Sequence, residues 1–106
     1  MSKPVFYSEL IILEEFNQHL RERGLAEHEV LSLLNDLAET FHTKTLDFIL
    51  EELPVEHHEE FLVLFSDNPE DVAHWDFLHT KSPSLKERVV AKLNDFKANL
   101  LAELRR

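Results

Sequence analysis

Seven histidines stand among 21 acidic residues, and three follow a carboxylate by three positions: Glu39 and His42, Asp71 and His74, Asp76 and His79. On a helix that spacing puts both side chains on one face, as the Glu-x-x-His pairs of di-iron bundles require. Chance accounts for most of it. With acids at 21 of 106 positions, seven histidines should find a carboxylate three residues upstream about 1.4 times, so three pairs exceed expectation only slightly. A di-iron site also needs two further inward carboxylates on facing helices, whereas Asp76 and His79 follow Asp71 and His74 on the same short segment. His57-His58-Glu59-Glu60 lacks the second histidine of the metalloprotease helix motif and reads as a solvated helix start. No metal or other cofactor is expected.

Nucleophilic catalysis has as little support. The chain has no cysteine and a single glycine, so it holds neither a Cys nucleophile nor a Gly-rich phosphate loop, and no nucleophile elbow is present. Ser8, Ser66, Ser82 and Ser84 stand where helix caps and loops need them. An enzyme is not expected.

Recognition is the chemistry that remains. Trp75, the only tryptophan, shares its segment with His74, Phe77 and His79, and it is either core or the best anchor for a partner protein. Along the last helix Leu85, Val89, Leu93, Phe96, Leu100 and Leu104 recur at three- or four-residue steps. That stripe packs across its own bundle or forms an intermolecular seam. Trp75, Val89, Leu93, Phe96 and Leu100 are therefore the candidate protein-contact residues. The partner would be another protein or a second copy of the chain, a homodimer included.

Charge narrows the classes further. A net charge of −10 repels nucleic-acid phosphates, so direct DNA or RNA binding is not expected. The charge is segregated: residues 1–44 carry net −4, residues 45–80 hold ten acids and no Lys or Arg, and residues 81–106 carry net +4. The acidic belt is either a solvated face that keeps a small protein soluble or a mimic of nucleic acid that occupies the basic groove of a binding protein. A non-enzymatic protein-interaction or assembly module is the first expectation, such an acidic inhibitor the second, and a metal-binding bundle the third. No apolar run approaches the roughly 18 to 20 residues that would span a bilayer, and the start lacks the apolar core of a signal peptide, so a cytoplasmic protein is expected.

The elements that must position these residues are helical throughout. Leu10, Leu13, Phe16 and Leu20 predict a helix over 8–23 that stops at Gly24 after a basic last turn. Val30, Leu34, Leu37, Phe41, Phe48, Ile49 and Leu53 predict one long helix over 26–53, with a weak point at the threonines of 40–45 where it could split. Pro54 starts a short helix to about residue 66, and Asn68-Pro69-Glu70-Asp71 reads as an N-cap, proline and acids opening the next. The last runs over 83–105, with Ser84 and Glu87 spaced as a capping box.

The stretch DFILEELPVEHHEEF, followed by NPEDVAHWDFLHTKSP and LNDFKANLLAEL, is similar to a domain of unknown function that recurs in small acidic helical proteins of uncultivated bacteria with reduced genomes. The similarity covers about residues 30–104 and rests on the Leu53-Pro54 junction, the acidic helix ending in Phe-Leu, and the Phe96-Lys97 pair. It implies helical architecture and assigns no activity or site residue. An all-α bundle of about five helices, forming one domain over 1–106, is the expected fold.

Overall fold

The computed structural model describes residues 5–104 as an all-α bundle of five α-helices: α1 (Glu14–Glu22), α2 (Glu27–Glu52), α3 (His58–Asp67), α4 (Ala73–Lys81) and α5 (Leu85–Leu104). Two single 3₁₀ turns, Ser8–Leu10 and Val55–His57, stand before α1 and α3. Among the described residues there is no strand, and no helix is long and apolar enough to cross a membrane.

The longest helix runs unbroken through its threonines. Thr40 Oγ1 donates to the Asp36 carbonyl at 3.0 Å, and Thr45 Oγ1 donates to the Phe41 carbonyl at 2.6 Å. Thr45 is fully buried, so that bond satisfies a hydroxyl that would otherwise interrupt the core. α2 then ends at Leu53-Pro54, where Leu53 adopts extended backbone as a residue before proline should.

α5 lies antiparallel on α2, the most extensive pairing in the molecule. Its Leu85, Val89 and Leu93 are buried, and Phe96 meets Phe41 edge-on at 5.3 Å between centroids. The rim is ionic. Arg88 reaches Glu52 at 2.6 Å, Lys92 reaches Glu51 at 2.8 Å and Glu52 at 3.0 Å, Lys97 reaches Glu15 at 2.8 Å, and Lys86 reaches Glu9 at 3.5 Å. The basic end of the chain thus neutralises carboxylates of α1, α2 and the segment before α1. α1 folds back on α2 through Gly24, whose φ of 78° is the left-handed conformation glycine adopts without strain.

Three helix starts differ from the sequence expectation; α3, expected from Pro54, begins at His58 after the 3₁₀ turn Val55–His57. α1 begins at Glu14 instead of residue 8, because Phe6 and Tyr7 are buried and draw the chain before it into a separate docking. The Phe6 N–H donates to the Pro69 carbonyl at 2.8 Å, and the Phe6 ring contacts Phe61, Phe65, His74 and Trp75. α4 begins at Ala73, not at Pro69: Asn68 terminates α3, and its carbonyl accepts from the Asp71 N–H and from His74. Asp71 Oδ1, and not the Asn68 side chain, takes a free N–H of the helix start, that of Ala73, at 2.9 Å. Residues 68–72 form the corner between α3 and α4, and Pro54 precedes the 3₁₀ turn before α3.

The molecule measures 47 × 29 × 16 Å. With helices packing 8–10 Å apart, a shortest axis of that length is about two helices deep. α3 packs on α4, on the preceding turn and on the Phe6 and Tyr7 rings, through the side that carries Phe61 and Phe65.

Candidate functional site

The acid and histidine pairs do not converge. His74 is buried and its Nε2–H donates to the Asn68 carbonyl at 2.6 Å, while Asp71 is engaged with the Ala73 N–H. His79 Nδ1–H donates to the Pro83 carbonyl at 3.0 Å. Further along the chain, His58 Nε2–H donates to the Leu53 carbonyl at 2.6 Å and His19 Nε2–H to the Leu104 carbonyl at 3.2 Å. A carbonyl only accepts, so each of these ring nitrogens carries the proton. Four imidazoles thus tie carbonyls at helix ends and corners, where helices leave acceptors unsatisfied. His42 lies against the Tyr7 ring at 5.6 Å, and burial raises the Tyr7 hydroxyl above its ordinary pKa. Among the described residues no group of three or more His, Asp or Glu could hold a metal ion.

Trp75 is half-buried, with its ring 4.9 Å from that of Phe6 and the Lys86 ammonium 4.9 Å above its centroid. Its Nε1–H is buried without a hydrogen-bond partner among the described residues. Beside it Trp75, His79, Pro83 and Lys86 line a cleft of about 200 Å³ that Asp76 and Glu87 also border. Opposite charges at one small opening favour no single ligand charge. The tryptophan is chiefly an inward-facing element of the Phe6 cluster.

The α5 stripe is occupied by its own bundle. Val89 is fully buried, Leu93 nearly so, and Phe96 and Leu100 are half-buried against α2 and its neighbours. In this arrangement these four face the core of their own chain.

The outer side of α3 carries exposed apolar residues. Phe61 is fully buried and Phe65 partly so, yet the three residues between them, Leu62, Val63 and Leu64, are all exposed, Val63 by 54%. In the sequence Phe61, Leu62, Val63, Leu64 and Phe65 form one unbroken apolar run. At about 100° per residue Phe61 and Phe65 lie closest to one side, and five successive apolar positions necessarily wrap the helix. That crowding was the signal available beforehand. His58, Glu59, Leu62, Val63, Ser66 and Asp67 bound an open concavity along this face. Val55 and Val72, exposed by 81% and 70%, flank the helix in the chain.

A second apolar recess, about 180 Å³, lies at the opposite end, between Leu20, Leu33, Leu37 and Leu104. Of the ten carboxylates in residues 45–80, Glu51 and Glu52 are engaged by α5. The Lys92 hydrogen bond first, and Arg88 after it, hold the Glu52 carboxyl below its ordinary value, against some desolvation. No protein-family model, no curated protein and no solved structure matches this chain.

Proposed function

We propose that the protein is a non-enzymatic helical interaction module, cytoplasmic, that engages another protein through the outer face of α3. One observation carries the reading: Leu62 and Val63 are both exposed and border one concavity on a helix whose core side is already filled by Phe61. Single exposed apolar residues are ordinary, but a clustered apolar patch with a polar rim marks an interaction surface. Membership of the helical family resembled over residues 30–104 is part of the same proposal, and α3 lies within that range while the Phe6 segment lies outside it.

Site-directed photo-crosslinking in the native host tests the reading. A photoreactive residue at Val63 is expected to trap one protein, and the adduct should vanish when Leu62 is changed to Glu. The same residue at Leu33, in the opposite apolar recess, should trap none. Adducts from Leu33 and not from Val63, or from neither, refute the assignment.

A further inference from the structure

The chemistry of the α3 face also identifies what should cover it. Resting on the α3 reading above, we propose that the partner element is a basic amphipathic helix of another protein, and that a second copy of this chain is not the partner. Helical spacing puts Glu59 and Glu60 one turn before Val63, and Ser66 and Asp67 one turn after it. All four are exposed, so Val63 is an apolar centre ringed by three carboxylates and a hydroxyl. Glu59, Glu60 and Asp67 make no ion pair among the described residues, in contrast to Glu51 and Glu52, which α5 neutralises. The segment 45–80 itself holds no Lys or Arg.

An occupant that buries Val63 must therefore bring its own positive charge or leave carboxylates facing an uncharged surface as water is excluded. A helix with an apolar stripe flanked by Lys and Arg meets both demands, in the helix-on-apolar-face mode of recognition. A second copy does not. Among the described residues Arg21, Lys86, Arg88, Lys92 and Lys97 are already paired within the chain, Arg23 is also engaged, Lys44 and Lys81 lie over the Phe96 and Phe77 rings, and two chains of net −10 repel. The apolar centre also separates this face from a nucleic-acid mimic, which needs carboxylates in an array that no apolar residues interrupt. A single face of a helix about 15 Å long makes a small contact of the transient class.

The test uses three synthetic peptides of about 18 residues sharing one leucine stripe, with Lys/Arg, Gln or Glu on the polar face. Each is titrated into the full chain, followed by fluorescence anisotropy and by backbone amide shifts. The Lys/Arg peptide is expected to bind with a Kd of roughly micromolar order, about tenfold tighter than the Gln peptide, and to weaken between about 50 and 200 mM salt. Its shifts should fall on the amides of α3. Val63→Glu adds negative charge, so plain charge attraction would tighten binding, whereas docking on the apolar centre predicts roughly tenfold weaker binding. Equal binding of the Gln and Lys/Arg peptides at α3 refutes the charge inference and leaves the α3 reading standing. So does a Val63 crosslink in cells with no peptide binding, or a chain that dimerises through α3. Loss of both the crosslink and the peptide binding refutes the α3 reading itself.

Discussion

Removing part of the α5 stripe and removing one of its rim charges should have unequal effects, and Leu93 and Lys92 are adjacent positions that compare them directly. Leu93 is 4% exposed, and Leu93→Ala deletes three buried carbons, about 2.4 kcal/mol at about 0.8 kcal/mol each. The cavity left behind raises the cost to about 3–5 kcal/mol. For a domain of this size that is a fall in Tm of about 10 °C or more. Lys92 bridges Glu51 and Glu52, but its side chain is 35% exposed, and Glu52 keeps Arg88 at 2.6 Å when the lysine is gone. Each such pair contributes about 0–1 kcal/mol, so Lys92→Ala should shift the urea midpoint only slightly. In about 1 M salt the screening length falls to about 3 Å, and the lysine effect should shrink further while the leucine effect persists. Equilibrium urea melts of both variants at low and high salt, with the slope checked for constancy, give the comparison. A Lys92→Ala loss as large as that of Leu93→Ala, or one indifferent to salt, would show that charge and not burial docks α5.

Three further outcomes follow from other parts of the molecule. Phe6→Ala should release the segment before α1 and destabilise by about 3–5 kcal/mol, since its buried ring contacts Phe61, Phe65, His74 and Trp75; amide exchange should speed up at the Phe6 N–H and in α4 but not in the middle of α2. Gly24→Ala should cost about 1–2 kcal/mol from the left-handed φ alone, because an added Cβ meets nothing within 4 Å; Gly24→Asn should recover part of it in thermal melts. Glu52, held below its ordinary 4.5 by Lys92 and Arg88, contributes stability that is present above the unfolded value and lost as pH falls through the lower folded value. Urea midpoints measured from pH 7 down to about 3 should fall less steeply below about pH 4.5 in Glu52→Gln than in the parent chain.

How much of this was legible beforehand depends on whether a feature is local. Helical class, Gly24, the corner at Pro54 and the four basic rim residues of α5 follow from spacing, backbone chemistry and charge within a few residues of one another. The threonines of 40–45 were ambiguous in sequence because propensity alone disfavours them. The fold resolves them by handing each hydroxyl of Thr40 and Thr45 a carbonyl four residues back. The start of α4 was misplaced because Asn68 and Pro69 satisfy the local rule for a helix opening, yet the His74 ring takes the Asn68 carbonyl, the distant Phe6 N–H takes that of Pro69, and α4 begins at Ala73. The stripe of Val89, Leu93, Phe96 and Leu100 was visible as a stripe, but nothing along the chain distinguishes an internal partner from an external one. Packing on α2 decided it. The α3 face is the converse: the five successive apolar residues 61–65 look like core in sequence. Because a helix turns about 100° per residue and the bundle covers α3 on the side that carries Phe61 and Phe65, Phe61 goes in and Val63 stays out. Periodicity determines which residues share a face; only the arrangement of helices in space determines which faces are covered.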